Sequence, residues 1–480
     1  MSNLNFNNPN EYYADAVVSI TSQGKDIVVI SDLHLSSGLQ DNGNYDGTEN
    51  FYADDSLARF LQYLTTKQTT AKTIFIINGD FIDFIRIRHF PTTGYEFEEW
   101  SSLLSSVGIS KTSEELKNSI SKKETDFGLK TDDYKSVWKL HKCMNGHKAV
   151  FQQLAVWLAN GNQLLIVKGN HDLEWYWAAV RNYLRYALVD FAQQNQTISN
   201  IDINQNLIFI DDSLIIDGKI HIVHGHVFEN MTEVKGAPVL NDGRELNLPF
   251  GSFFNRYLIN RLELAYPFID NIRPSQKILP LLIRERFPLA IKVLFHYIPF
   301  TILIIPKKMY RQVFKYLFDI FIIIILPVAI TAYALYKNFH LPALKDTSLI
   351  GGQLIGLLKN LAPLFLSYIF GRLMAMARLS SPTTFFPFAQ KIYNADANIQ
   401  TVIFGHTHNP EIQREGDKYY FNTGTWMPVY DLSMADVRMD KTYTYLHIIP
   451  GQSKQVDSQL LLRWNDDAAR PEPMVLRELK

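Results

Sequence analysis

The chain has 480 residues with a net charge of −1 at pH 7, and its one cysteine is Cys143. This length exceeds what one hydrophobic core usually supports, so we expect two or more modules. A single cysteine excludes an intramolecular disulfide framework and favours a reducing compartment. Residues 1–11 are polar and asparagine-rich, without a basic region followed by an apolar stretch, so we expect no cleaved secretion signal.

Five short polar blocks lie along the chain, and most of them close a run of apolar residues. The runs are residues 27–30, 74–77, 164–167, 220–223 and 402–404. The blocks, in the same order, are Asp32-Leu33-His34, Gly79-Asp80-Phe81-Ile82-Asp83, Gly169-Asn170-His171-Asp172, His224-Gly225-His226 and Gly405-His406-Thr407-His408. Short apolar runs bounded by turn residues predict strands buried on both faces. Open α/β sheets place ligands beyond the carboxyl ends of their strands, so the blocks are expected to converge on one site.

The side chains of these blocks are carboxylates, a carboxamide and imidazoles, which divalent metal ions take as oxygen and nitrogen ligands. Two such ions roughly 3.5–4 Å apart can clamp the attacking and leaving oxygens of an in-line displacement. Any one block alone carries little weight, because a lone histidine or Gly-Asp pair is more often structural. The ordered set, each member in its strand context, predicts a two-metal site.

In order and in nearly every position, the blocks resemble the signature of the calcineurin-like metallophosphoesterase superfamily. The resemblance covers residues 26–230 and 396–450. It implies a metal-dependent hydrolase of phosphoester or diphosphate bonds on an α/β fold, a four-layer sandwich with two mixed sheets and the metals at one edge. It also implies two divalent ions, with Mn²⁺ expected first and Fe, Zn or Mg as alternatives.

The same resemblance implies a role for each residue of the blocks. One metal would be bound by Asp32, His34 and His408, and the other by Asn170, His224 and His406. Asp80 would bridge the two ions, and a water activated between them would attack phosphorus. His171, oriented by Asp83, would stabilise or protonate the leaving oxygen. For His226 and Asp172, support of a ligand and a plain structural role stay equally open.

Residues 84–160 form a first predicted insertion, between the second and third blocks, and are expected to make a helical cap. A helix is predicted from Tyr134 to Ala159. Arg86 and Arg88 stand directly after Asp83, where they could bind the phosphate or diphosphate of a substrate. The alternative for either arginine is a solvated surface charge.

Residues 251–380 form a second predicted insertion, which divides the catalytic domain into residues 1–250 and 381–480. From Ser252 to Arg378 the chain carries 16 lysines and arginines against five acidic residues, and it is also strongly apolar. Two stretches, Ile320–Tyr336 and Thr347–Gly371, approach the length of a membrane span. Basic flanks favour their insertion from the cytoplasmic side.

Leu289–Ile305, a shorter stretch, fits a segment that lies in the membrane interface. A buried helical hairpin or an oligomer interface is the alternative for the apolar stretches, and the oligomeric state stays open. We therefore expect the protein at the cytoplasmic side of a membrane, associated or integral through residues 289–371. No nucleic-acid partner is expected, because the basic residues coincide with apolar stretches and form no separate polar groove.

Within the superfamily, the chain most resembles the UDP-2,3-diacylglucosamine diphosphatase branch, which shares the Asp-Leu-His-Leu and Gly-His-Thr-His blocks. It departs from that branch at His171, where arginine is typical, and in the size of the second insertion. The resemblance implies a lipid-linked phosphate or diphosphate as substrate, with membrane lipid as a partner. The alternative is a membrane-tethered phosphatase or phosphodiesterase of a phosphoprotein or nucleotide. A non-catalytic scaffold would have lost ligands, and none is missing.

Overall fold

A computed structural model provides the structure of the protein. The residues it describes are 17–40, 42–67, 72–194, 203–240, 242–273, 277–311, 314, 318, 384–431, 438–440, 442–449 and 460–474. The chain divides into two compact units, Met1–Ile298 with Thr384–Lys480 and Pro299–Thr383. The first unit contains both large sheets and all five polar blocks.

Sixteen strands are described. They are β1 Val17–Ile20, β2 Asp26–Ile30, β3 Thr73–Asn78, β4 Gln163–Val167, β5 Leu207–Ile210, β6 Ser213–Ile216, β7 Ile220–Val223, β8 Ile272–Arg273, β9 Thr401–Phe404, β10 Glu411–Glu415, β11 Lys418–Asn422, β12 Val429–Asp431, β13 Arg438–Asp440, β14 Thr444–Ile448, β15 Leu461–Asn465 and β16 Arg470–Pro473. The apolar runs before the blocks are β2, β3, β4, β7 and β9, so the five predicted strands are confirmed.

The described α-helices fill the long gaps between these strands. They are α1 Asp54–Lys67, α2 Gly94–Ser106, α3 Ser113–Asn118, α4 Lys122–Phe127, α5 Asp133–Gly146, α6 Lys148–Ala159, α7 Ala178–Gln194, α8 Ile203–Asn206, α9 Phe250–Phe254, α10 Asn260–Ala265, α11 Ile278–Glu285, α12 Phe287–Lys292, α13 Ile298–Ile304 and α14 Phe386–Ala395. Short π-helical segments, Asn255–Ile259 and Val293–Tyr297, join α9 to α10 and α12 to α13.

Two mixed sheets carry the blocks. A seven-stranded sheet has the order β16-β15-β14-β2-β3-β4-β5, in which β2 to β5 run parallel and β14 pairs antiparallel with β2. A six-stranded sheet has the order β1-β6-β7-β9-β11-β10, with β7, β9 and β11 parallel. A small third sheet joins β13, β12 and β8. The first three blocks therefore end adjacent strands of one sheet, and the last two end adjacent strands of the other.

The two large sheets pack face to face through alternate residues of their strands. In β2, Ile27 and Val29 join the cluster between the sheets, whereas Val28 and Ile30 face the helices on the other side. This alternation is the period of two that a pleated strand imposes. Ile222, Ile403 and Phe421 complete the inner layer from the six-stranded sheet.

Helices cover the outer face of each sheet. Residues of α1, α5, α6 and α7 bury the outer face of the seven-stranded sheet, and Ala389 and Tyr393 of α14 bury that of the six-stranded sheet. The result is a four-layer α/β sandwich with two mixed sheets, which confirms the predicted fold class. Asp217 and Gly218, both with positive φ, form the turn of a hairpin in which β6 and β7 pair antiparallel.

The helix predicted from Tyr134 to Ala159 is instead two helices, α5 and α6, with a break at His147. His147 is completely buried and lies 2.8 Å from Asp54 and 3.2 Å from Glu49 through its two ring nitrogens. Gly146 packs so closely on the loop after β2 that a Cβ would lie 1.9 Å from the Ser37 carbonyl oxygen. The break follows Gly146, a weak helix former, and the tertiary contacts of Gly146 and His147 hold it in place.

The middle of the chain is helical from α9 to α13. Among the residues that the structure describes, one helix, Phe287–Ile304, is long and apolar enough to cross a membrane, and 17% of its residues are buried. It coincides with the stretch predicted to lie in a membrane interface. The two longer apolar stretches, Ile320–Tyr336 and Thr347–Gly371, lie outside the described residues. The domain boundaries at 250 and 380 stay predictions.

Candidate metal centre

Three overlapping groups of histidine and aspartate side chains meet where the five blocks converge. In each group the candidate ligand atoms all lie within 4.8 Å of one another. The groups are Asp32, His34 and His408; His34, Asp80 and His171; and Asp80, His224 and His406. His34 Nε2 lies 3.2 Å from His408 Nε2 and 3.5 Å from Asp80 Oδ2. Asp80 belongs to both of the last two groups. A carboxylate that bridges two metal ions, the role predicted for Asp80, needs such a shared place.

The backbone at this centre is held in an uncommon conformation. Asp32, His34, Asp80, His406 and His408 all have positive φ, between 51° and 68°. Side chains other than glycine rarely adopt this left-handed region, and such strain persists where the surrounding structure imposes it. Ten described residues other than glycine have positive φ, and five of them are predicted ligands. The strand ends thus turn sharply to direct these side chains toward one point.

Two glycines permit the close approach of the blocks. A Cβ on Gly79 would lie 2.3 Å from the His224 ring, and one on Gly169 would lie 2.1 Å from Asp80 Oδ1. Either contact would require backbone or ligand movement. Gly79 also has a φ of 82°, which glycine adopts without strain.

His224 and His406 are each oriented by a hydrogen bond at one ring nitrogen. His224 Nδ1 donates to the Asn78 carbonyl oxygen at 2.8 Å, which leaves Nε2 for the cluster. His406 has the reverse arrangement, because its Nε2 lies 2.8 Å from Glu229 Oε2, which leaves Nδ1 for the cluster. Partners of this kind set the tautomer and direction of metal-binding histidines.

Asp83 contacts two histidines of the three groups, His34 and His171. Its Oδ2 lies 2.8 Å from His171 Nδ1 and 3.2 Å from His34 Nδ1. The His171 backbone N–H donates to Asp80 Oδ1 at 2.8 Å. The carboxylate of Asp83 is fully buried, whereas the His171 side chain is 13% exposed. His171 is therefore fixed at one nitrogen and open to a small molecule at the other.

Two buried polar atoms at this centre have no hydrogen-bond partner within the protein. Asn170 Oδ1 and His224 Nε2 have almost no exposure, and neither has a hydrogen-bond partner. His224 Nε2 does lie 3.2 Å from Asp80 Oδ2, but without hydrogen-bond geometry. An unsatisfied buried polar atom costs about 1–3 kcal/mol. A carboxamide oxygen and an imidazole nitrogen are both metal ligands, so the residues present fit divalent ions.

Burial disfavours the charged forms of Asp32, Asp80, Asp83, His34 and His224, but the opposite charges near these groups outweigh it. Histidine neighbours hold the pKa values of Asp32, Asp80 and Asp83 well below their usual range. The neighbouring carboxylates of Asp32 and Asp83 raise the pKa of His34 to about 10, and those of Asp80 and Asp32 raise the pKa of His224 to about 9. Without metals, protons on the histidines neutralise the buried carboxylates.

The chain after the last block supports the first one. Thr425 Oγ1 donates to the Asp32 carbonyl oxygen at 2.6 Å, and Asn422 Nδ2 donates to the Gly405 carbonyl oxygen at 2.7 Å. Asn422 is the last residue of β11, and it begins the Asn-Thr-Gly-Thr sequence that ends at Thr425. Asp172, whose pKa burial raises to about 7, accepts hydrogen bonds from the Gly169 and Phe81 backbone N–H groups. It ties the second and third blocks together.

His226 is buried beside the cluster, with its ring centroid 5.5 Å from that of His224. Burial and the neighbouring His224 and His406 hold its pKa well below the usual value. It is not a member of the three ligand groups. Both roles left open for it by the sequence, support of a ligand and structural use, stay predictions.

The two arginines after Asp83 lie apart from the three ligand groups. Arg86 is 2% exposed, and its guanidinium contacts carboxylates of Asp83, Glu263 and Asp270. Arg88 Nη2 donates to the Asp126 carbonyl oxygen at 2.8 Å, beside α4 of the cap. Contact of either arginine with a substrate stays a prediction.

Sequence patterns did not reveal three carboxylates near this centre. Glu229, which holds His406, lies in the loop after the fourth block, and Glu263 and Asp270 lie in the second insertion. The sequence offered one indication that Glu229 lies near the centre, its position five residues after His224. Nothing in the local sequence of Glu263 or Asp270 connects them with Arg86.

Metal binding at this centre should release protons. At pH 7 the raised pKa values of His34 and His224 keep both rings protonated in the metal-free protein. A metal ion must displace these protons, so its affinity should rise with pH and level off above about pH 10. Calorimetric titration with Mn²⁺ in buffers of different ionisation enthalpy measures the proton count.

A matched control is His447→Ala, because His447 lies on β14 and pairs with Asp26 outside the three groups. This variant should release as many protons as the wild-type protein. Metal affinity that does not change between pH 6 and pH 9, without proton release, would contradict the charge assignment.

No family model and no curated protein matches the chain. The chain forms an α/β fold with two mixed sheets and a helical middle region, and its buried histidine and aspartate clusters could hold metal ions.

Proposed function

We propose that the protein is a two-metal hydrolase of phosphoester or diphosphate bonds with the architecture of the calcineurin-like metallophosphoesterases. The observation that carries this proposal is the geometry of the cluster. Asp80 belongs to two ligand groups at once, and a histidine held by a buried aspartate stands beside them. Two cations around one carboxylate, with a proton donor at hand, suit in-line displacement at phosphorus.

In this proposal Asp32, His34 and His408 would hold one ion, Asn170, His224 and His406 would hold the other, and Asp80 would be shared by both. When bound, the ions supply Lewis acidity for an attacking water and for the phosphoryl oxygens. Burial lowers the pKa of His171, but the charges of Asp83 and Asp80 outweigh this effect and raise it. In the metal-free protein the protonated ring is thereby favoured. His171 Nε2, on the side away from Asp83, donates a proton to the leaving oxygen.

A membrane-associated substrate is supported by the described part of the second insertion. On the helix Phe287–Ile304, Phe295 is 76% exposed and Leu303 is 80% exposed. Arg284, Arg286 and Lys292 are exposed on or beside it. Apolar side chains with basic neighbours suit the interface of an anionic bilayer, where each basic residue contributes about 1 kcal/mol. We therefore propose a lipid-linked phosphate or diphosphate, as in the UDP-2,3-diacylglucosamine diphosphatase branch, at the cytoplasmic face of a membrane.

The substrate distinguishes this proposal from its alternative, a membrane-tethered phosphatase of a phosphoprotein or nucleotide. The two functions would use the same metal ligands, so the ligands do not distinguish them. Phosphate release, with Mn²⁺ supplied, from a panel of lipid-linked diphosphates, phospholipids, nucleotides and phosphopeptides separates them. Preference for acylated substrates supports the first, and indifference to acylation supports the second.

Asp80→Asn should nearly abolish hydrolysis, because it removes a charge shared by two ligand groups. We expect a loss of at least about 10³-fold in kcat, as for other groups that act on the transition state, and fewer than two Mn²⁺ ions per chain by elemental analysis. Asp55→Asn, at an exposed position of α1, is the matched control and should retain both activity and metal. An active wild-type preparation with one metal or none would count against the proposal.

His171→Ala should keep both metals and slow turnover by roughly 10²–10⁴-fold, the usual range for losing a positioned proton donor. Metal content and kcat are measured on the same preparation, so binding and chemistry are separated. Loss of a metal ion in this variant would show that His171 is a ligand and not the acid.

Phe295→Ser combined with Leu303→Ser should weaken binding to vesicles of phosphatidylcholine and phosphatidylglycerol by more than about tenfold, because full burial of each such side chain is worth about 1.5–3 kcal/mol. Turnover of acylated substrate should fall more than that of a small chromogenic phosphodiester. Tyr95→Ser, which replaces a side chain 74% exposed on α2, is the control. Unchanged vesicle binding in the double variant would refute the membrane assignment of this helix.

A further inference from the structure

We propose that the segment from α9 to β8, at the start of the second insertion, completes the active site. Glu263 and Asp270 of this segment act through Arg86 as positioning residues for His171. The proposal rests on the proposed hydrolase function. It gives the insertion a part in catalysis, in addition to any part in membrane association.

Arg86 is the connection between the segment and the catalytic histidine. Its Nε lies 2.9 Å from Asp83 Oδ2, its Nη2 lies 2.5 Å from Asp270 Oδ2, and its Nη1 donates to Glu263 Oε2. The side chains of Arg86, Asp83 and Glu263 are at most 2% exposed, and that of Asp270 is 36% exposed. The Nε contact with Asp83 is an ion pair without hydrogen-bond geometry, whereas the two Nη contacts are hydrogen bonds. A planar guanidinium with carboxylates on three sides is held in one orientation, which a flexible ammonium would not be.

Asp83 Oδ2 receives three contacts at once, from Arg86 Nε, His171 Nδ1 and His34 Nδ1. Its position therefore depends on the arginine as well as on the two histidines. Glu263 and Asp270 hold the far side of the guanidinium. If either is neutralised, Arg86 is free to tilt toward the remaining carboxylates, and the Asp83–His171 hydrogen bond loses its fixed geometry. Positioned acids are sensitive to such displacements.

The segment is also bound to the blocks by hydrogen bonds. Ser252 Oγ donates to the Asn170 carbonyl oxygen at 3.1 Å, and Asn260 Nδ2 donates to the Ile85 carbonyl oxygen at 2.9 Å. Asn50 Nδ2 donates to Glu263 Oε1 at 3.1 Å, from the loop before α1. These contacts reach the third block, the second block and the loop after the first. They place the segment among the parts of the catalytic centre.

A separate hydrophobic cluster holds the segment in place. Leu258 and Leu262 are buried against Leu282 of α11 and Ala290 of α12. Leu262 directly precedes Glu263, so packing of the helices fixes the carboxylate that holds Arg86. At its other end β8 pairs in parallel with β12, beyond the strand end that supports Asp32. The carboxylates are thus carried on a rigid support, as positioning requires.

Leaving-group dependence separates a positioning role from a structural one. An alkoxide leaving group needs a proton from His171, whereas p-nitrophenolate leaves without one. We expect Glu263→Gln and Asp270→Asn, with Mn²⁺ bound, to lower kcat for an alkyl phosphoester by roughly 10–100-fold. For the p-nitrophenyl ester the fall should be less than about threefold, and KM should change little for either. Asp270→Glu keeps the charge at a partly exposed position and should restore most of the activity.

Two controls accompany these variants. Glu285→Gln changes an exposed acid of α11 that bonds to Tyr266 and Arg284, and it should leave both esters unaffected. The Mn²⁺ content of every variant should equal that of the wild-type protein. Folding is checked by thermal unfolding, and Asp270→Asn serves if the buried Glu263 variant does not fold.

Three results would overturn the proposal. Equal losses on both esters would make the carboxylates structural, and loss of metal would mean that they act through His34. Retention of full activity in Asp270→Asn and Glu263→Gln would show that Arg86 needs neither. Failure of the proposed function is distinct from these results, because the wild-type protein would then hydrolyse neither ester with Mn²⁺ bound, and the inference would fall with it.

Discussion

The whole arrangement depends on the burial of three aspartates at the edge where two sheets meet. Asp32, Asp80 and Asp83 are at most 1% exposed, and ionised carboxylates cannot stay buried without positive charge close by. Imidazolium groups supply that charge in the metal-free protein, and two cations would supply it in the working one. The convergence of strand ends, the left-handed backbone and the close-packed glycines all serve to bring compensating groups to these carboxylates.

Much of this could be predicted from local sequence, because each strand and its block form a contiguous pattern. The five strands and the convergence of the histidine and aspartate blocks on one site followed from such patterns. The break at His147 was not predicted, although Gly146 directly before it is a weak helix former. Contacts of His147 with Glu49 and Asp54 hold this break in place.

Pairings between distant residues were also beyond local patterns. Arg86 and Glu263 lie 177 residues apart, as do Glu229 and His406, and no spacing rule joins either pair. Arg86 was predicted as a substrate-binding residue because it follows Asp83. In the structure its guanidinium faces the carboxylates of Asp83, Glu263 and Asp270, and its contact with a substrate stays a prediction. The second insertion contains both buried and exposed apolar side chains. Leu262 and Leu282 pack in its hydrophobic cluster, whereas Phe295 is exposed on the helix Phe287–Ile304.

The central claim is that the buried aspartates and histidines hold two metal ions about one carboxylate. Anomalous scattering from crystals grown with Mn²⁺ tests it most directly. The account predicts two peaks roughly 3.5–4 Å apart, both in contact with Asp80, with Asn170 and His224 at one and His34 and His408 at the other. A single peak, or two peaks that do not share Asp80, would contradict it.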